Sequence, residues 1–246
     1  MSMARYKEAA LLFRKLLPFA QTLEEKLELY HKQAHCWALG GLGKEAVETA
    51  QTGIDLAKDI PLEELSKMEG HWYSALHGRV SEACVSLGEY ERAITYARLA
   101  KEIQGNRFFD KNLEDSKGWK DYHLARALMY AGKYMEAERV IRGAIERFEQ
   151  INSHWSANYA YDLLGQILIN LGKYEEALEL NARAAQILEP FYGKEHADTA
   201  KNLEYRGNIY AAMGQREKAD GYYQQAIDIY RKLNCRKRAE EVQAKL

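Results

Sequence analysis

The stretch LGKYEEALEL, from Leu171 to Leu180, has near-copies at Leu87 (LGEYERAITY), Ala131 (AGKYMEAERV) and Met213 (MGQREKADGY). A short pattern that recurs along a chain constrains its fold strongly, because each unit must bury its apolar face on the next. Aligned on the alanine of this stretch, Ala9, Ala46, Ala93, Ala137, Ala177 and Ala219 fall in register, and five residues earlier stand Ala4, Gly41, Gly88, Gly132, Gly172 and Gly214. The junctions at 4, 41, 88, 132, 172 and 214 are thus 37, 47, 44, 40 and 42 residues apart. Seven residues before each junction glycine lies Ala34, Ser81, Ala125, Gly165 or Gly207. Small residues at two fixed places let helix backbones approach where a larger side chain would wedge them apart.

The segments flanking the junctions have helical periodicity. Tyr161, Leu164, Leu168 and Leu171 share one face, as do Tyr174, Ala177, Leu178, Ala184 and Leu188. Gly172 falls between two helices, where a left-handed backbone is often needed. Pro190 is expected to stop the second of these helices and Pro61 to start another. The pattern predicts a single helix over 5–19, then pairs over 22–40 and 43–58, 61–87 and 89–104, 112–131 and 133–150, 154–171 and 173–189, and 195–213 and 215–233. A final helix over 236–246 puts Ala239, Val242 and Leu246 on one face and charges elsewhere, as an end cap requires.

These features resemble the tetratricopeptide repeat family. Gly172, Tyr174, Glu176, Ala177 and Ala184 follow its G-x-Y-x-E-A turn and its small residue late in the second helix, as do Gly88, Tyr90, Ala93 and Ala100, and Gly132, Tyr134, Glu136, Ala137 and Ala144. The periods exceed the usual ~34 residues, which points to the longer-helix variety. Tyr192 to Ala219 is similar to kinesin-light-chain-type repeats, with Ala197 where that type usually has Pro, and Glu204 and Tyr205 where it has paired Asn. The resemblance implies an all-α fold, a right-handed α–α superhelix of about five hairpins with a leading single helix and a C-terminal cap. It is expected to form one domain over 1–246. The leading helix lacks a partner, so Phe13, Leu16 and Leu17 lose a neighbour on one side. Either something covers that end, self-association included, or the chain is a piece of a longer protein.

Composition narrows the function classes. The formal net charge is −1, and the basic run Arg236, Lys237, Arg238 is short and adjoins Glu240 and Glu241, which argues against nucleic acid or anionic membrane as partner. No segment approaches ~18 uninterrupted apolar residues, and the N-terminus lacks the apolar run of a secretory signal. Cys36, Cys84 and Cys235 form no CxxC pair, as expected of reduced thiols in a cytoplasmic protein. G-x-S-x-G, Walker and G-x-G-x-x-G motifs are absent, so an enzyme is not expected and no cofactor is implied.

In the family, the first helix of each pair (here called an A helix, the second a B helix) lines the concave surface. Counting back from each junction glycine, the resemblance implies groove residues that include Trp119, Tyr122, Arg126, Met129 and Tyr130, then Tyr159, Asp162, Gln166 and Asn170, then Lys201 and Asn208. Aromatics with Arg are what binding hot spots are made of, although aromatics also dominate cores. A chaperone carboxylate clamp is not supported, since of the residues at its two positions only Arg126 and Asn208 suit it. His31 and His35, in HKQAH, have the spacing of a zinc-protease helix, with Glu28 as a third ligand candidate, but Lys32 stands where the catalytic Glu belongs. The alternative for both is an ordinary groove or packing histidine. Phe108 and Phe109 in the connection 104–112 either cap the adjoining helices or contact a partner. The chain is therefore expected to bind a peptide or helical segment of a partner protein in its groove, or alternatively to sense a small signalling peptide.

Overall fold

The computed structural model describes residues 3–105 and 113–246; Phe108 and Phe109 lie outside them. Every described element is helical: α1 (Met3–Leu16) with a 3-10 turn (Leu17–Phe19), α2 (Leu23–Leu39), α3 (Gly43–Asp55), α4 (Lys67–Leu87), α5 (Tyr90–Gln104), α6 (Leu113–Tyr130), α7 (Tyr134–Gln150), α8 (His154–Asn170), α9 (Tyr174–Tyr192), α10 (Ala197–Ala212), α11 (Arg216–Lys232) and α12 (Arg236–Gln243). The expected leading helix, five pairs and final helix are all present. They fall into two compact units, Met1–Ile151 and Asn152–Leu246. None of the described helices is long and apolar enough to cross a membrane.

Each A–B turn closes in the same way. Gly41, Gly88, Gly132, Gly172 and Gly214 all have φ between 71° and 78°. After each, a backbone N–H returns to a carbonyl five residues back, as in Lys173 to Leu168 at 2.9 Å, while the glycine N–H bonds three back, as in Gly172 to Ile169 at 3.0 Å. This double closure satisfies carbonyls that the helix end would leave bare. Asn234, at φ 58°, closes α11 in the same manner, with Cys235 N–H donating to Tyr230 O at 2.8 Å.

The register of small residues is a packing register. Ala46, Ala93, Ala137, Ala177 and Ala219 are fully buried, and so are Ala34 and Ala125, with Ser81 all but closed off. At Gly165 an added Cβ would lie 1.9 Å from the Tyr205 hydroxyl, and at Gly118 it would lie 2.4 Å from the Phe148 ring. Within the first unit Leu27, Leu76, Ile94, Leu128, Ile141 and Phe148 fill the space between helices; within the second, Leu164, Ile167, Leu168, Ile209 and Ile227 do so. Each such side chain contributes about 1.5–3 kcal/mol by leaving water.

Three local expectations are corrected. Pro190 lies inside α9, which runs two residues past it; the helix forgoes the N–H bond that Pro cannot make but continues for only two residues more. Pro61 does not start α4. That helix begins at Lys67, where Ser66 accepts from Glu69 N–H and the Glu69 carboxylate accepts from Ser66 N–H, a reciprocal cap stronger than a lone Pro. The final helix stops at Gln243, so Leu246 is exposed while Ala239 and Val242 are buried as expected. On α1 and the turn after it, Leu12, Leu16 and Phe19 are exposed.

Candidate functional site

In the first unit α2, α4 and α6 are the A helices. Trp119 and Tyr122 on α6 pack edge to face, centroids 5.2 Å apart, and both remain partly exposed. Trp119 also leans on Phe148 of α7, at 5.8 Å, so it serves packing as well. Arg126 is partly exposed and lies 3.7 Å from the Glu82 carboxylate of α4. Arg79, one turn before Glu82, reaches the other carboxylate oxygen at 2.5 Å and also meets His35 Nδ1 of α2 at 2.7 Å. Burial alone would push the Glu82 carboxyl up, but Arg79, His123 and Arg126 outweigh it and hold it at about 2. Tyr130 stacks on Tyr90 of α5 at 6.0 Å with 49% of its surface exposed. Met129 is corrected: only 7% exposed, it faces the core and offers a partner no surface.

His31 and His35 do not form a metal centre with Glu28. Glu28 is paired with Lys32 at 2.6 Å, His31 lies 5.2 Å from the Trp72 ring, and His35 meets Arg79. Among the described residues no three His, Cys, Asp or Glu side chains are placed to hold a metal ion. Burial, then the Arg79 charge, hold both imidazoles below the ordinary histidine range, His31 well below.

In the second unit α8 and α10 carry the expected row. Asp162 forms an ion pair with Lys201, whose ammonium also lies 5.4 Å from the centre of the Tyr159 ring. Burial raises the Asp162 carboxyl despite the opposing pull of Lys201. Gln166 and Asn170 are exposed one and two turns on, and the Asn170 amide donates to Gln166 O at 2.8 Å. Asn208 stays partly exposed, with part of its hydrogen-bonding capacity spent inside the fold. Its amide oxygen accepts from Tyr223 at 3.0 Å and from Lys245, beyond α12, at 2.9 Å, so its carbonyl is already committed within the fold. Beside it Glu204, 3% exposed, accepts from Arg238 at 2.9 Å and Lys245 at 2.8 Å. A cavity of 510 Å³ opens elsewhere, lined by Thr199, Asn202 and Arg206 of α10 and Gln225 and Asp228 of α11; sequence spacing pointed to none of it.

The residues that spacing missed in the first unit are Arg79, Lys120 and His123. Each sits one position past a counted position, Arg79 after Gly78, Lys120 after Trp119 and His123 after Tyr122. The usable signal is local and covers Arg79 alone: SALHGRVSEA puts His77, Arg79 and Glu82 among otherwise small and apolar residues.

Residues 156–232 match the tetratricopeptide repeat family. Kinesin light chain-related protein 3 of Arabidopsis thaliana is 25% identical over 230 residues, 89% of this chain but 34% of the plant protein. This chain therefore spans about a third of that relative's length. The crystal structure of nearly identical TPR-like repeats from Podosopora anserina superposes with a TM-score of 0.69 at 20% identity, covering 87% of this chain and 99% of that one. A Rap protein complexed with competence and sporulation factor superposes with a TM-score of 0.69 at 16% identity, covering 99% of this chain and 69% of the other.

Proposed function

With tetratricopeptide repeats of the kinesin-light-chain-like kind as its architecture, we propose that the chain is a non-enzymatic interaction module that holds an extended or helical segment of a partner protein. The A-helix face of the first unit is the primary contact surface. The observation that carries this is the Trp119–Tyr122 pair beside Arg126, all partly exposed on one helix. Two rigid rings and a planar cation supply contact area and direction at little cost in conformational entropy. Tyr159 with the Lys201–Asp162 pair supplies a similar mixture in the second unit.

The sensing of a small signalling peptide uses the same surfaces. Its support is the fold shared with the Rap protein solved with competence and sporulation factor. The two readings differ in partner size rather than in site.

Selection from a displayed library of random peptides tests the proposal. The wild-type chain is expected to enrich a common motif that the Tyr122→Ala/Arg126→Ala variant does not. Equal enrichment by both, from proteins of equal thermal stability, overturns it.

A further inference from the structure

The floor of the A-helix face in the first unit holds a recess bounded by α4 and α6. Gly78 lies mid-helix in α4, where Gly is disfavoured relative to Ala. Among the described residues, the one heavy atom within 4 Å of a Cβ built there is the Lys120 amine, at 4.0 Å, so they leave open the space a side chain would take. Lys120 is 8% exposed, and among the described residues it has neither a carboxylate nor a hydrogen-bond partner. Arg79 is near enough to act on the Lys120 amine, and Arg126 shares with Arg79 the Glu82 carboxylate, the one anion paired to both among the described residues. With the Lys120 amine protonated, as a bound anion would hold it, three cations against one carboxylate leave an excess of two positive charges in a mostly buried place. Asp121 does not offset it, since Lys101 at 2.7 Å and Arg147 at 3.4 Å already hold that carboxylate.

Buried cations are normally paired. Burial, then Arg79, drag the Lys120 amine down to about 7, as expected where the counter-ion is missing. A carboxylate would neutralise half of the excess. A phosphomonoester carries about −1.5 to −2 near neutral pH and three acceptor oxygens, which matches the excess charge and the number of donors.

We propose that the recess over Gly78, edged by Lys120 and flanked by Arg79 and Arg126, binds a phosphomonoester, supplied by a phosphorylated side chain of the bound segment. This rests on the peptide-binding reading of the same face. The ammonium and guanidinium groups contact the phosphate oxygens, and the missing side chain of Gly78 admits them.

Calorimetric titration with three synthetic peptide libraries, alike except for a central phosphoserine, glutamate or serine, tests this, with inorganic phosphate as a fourth ligand. The phosphoserine library is expected to bind the wild type at least tenfold more tightly than either other library. That ratio falls to near one in Lys120→Met, which keeps the stem, and in Gly78→Leu, which fills the recess. Two independent variants with unchanged thermal melts keep loss of fold from mimicking loss of site. Equal binding of the phosphoserine and glutamate libraries overturns the proposal in favour of a plain acidic segment. Inorganic phosphate that binds while all three libraries bind alike overturns the peptide source. Serine-library binding that persists in both variants leaves the peptide-binding reading standing whichever way the phosphate test falls.

Discussion

The Arg79 guanidinium stands 2.5 Å from the Glu82 carboxylate one turn along α4. Arg126 approaches the same group from α6, so one carboxylate serves two cations. Glu82→Gln keeps the shape and removes the charge, and is expected to cost about 1–3 kcal/mol of stability. The pH dependence has a definite sign. The folded carboxyl is held at about 2, below its ordinary value of 4.5, so its contribution is complete above about 4.5 and is lost as pH falls toward 2. Urea unfolding of wild type and variant at pH 7 and pH 3 checks this. The stability gap narrows in acid; a gap that ignores pH contradicts it.

Gly165 and Gly143 are both helical, but their surroundings differ. Gly165 faces the Tyr205 ring, whereas nothing lies within 4 Å of a Cβ at Gly143. Gly165→Ala is expected to destabilise by about 1–3 kcal/mol through overpacking. Gly143→Ala should stabilise by about 0.5–1 kcal/mol by restoring helix propensity. Opposite shifts in melting temperature for the same chemical change are the expected result.

Glu204 is buried and depends on two cations delivered by the C-terminal segment. Arg238→Met with Lys245→Met leaves that carboxylate without its ionic partners, at a cost of about 3–5 kcal/mol. Adding Glu204→Gln to the pair is expected to recover much of the loss. A triple variant no more stable than the double one shows that packing of α12 matters rather than charge.

The turn glycines make a backbone prediction. Gly172→Ala forces a left-handed residue with a Cβ and should cost about 1–2 kcal/mol. Asn234→Gly relieves the same conformation and should be neutral or stabilising by less than about 1 kcal/mol. Chemical denaturation of both variants checks the two signs.

The architecture was legible because its determinants are local. A left-handed turn demands Gly, and close helix approach demands Gly, Ala or Ser at fixed distances from it, so Gly172, Ala177 and Gly165 reveal themselves by spacing alone. The site was legible only in part. Tyr122 and Arg126, and Tyr159 with Asp162 and Lys201, stand on A helices as spacing indicated. Met129 turns inward because helix rotation within each pair is set by packing, which spacing does not report. The Asn208 amide oxygen is engaged because Lys245 arrives from 37 residues away, a tertiary contact with no local trace. Lys120 escaped notice for the opposite reason: one lysine among many on charged helices carries no signal until its surroundings are known. Glu204 and Tyr205, which depart from the kinesin-light-chain pattern, turn out to serve packing and the end cap, since Tyr205 fills the space beside Gly165 and Glu204 anchors the C-terminal segment.

The central claim is that a partner segment lies on the A-helix face of the first unit. It is tested most directly by calorimetric affinity of a library-selected peptide for wild type, for Tyr122→Ala/Arg126→Ala, and for Arg98→Ala on the B helix α5. The account predicts at least a tenfold loss, about 1.4 kcal/mol, in the A-helix variant and none in the B-helix one. Unchanged affinity in the A-helix variant, or a loss confined to Arg98→Ala, would contradict it.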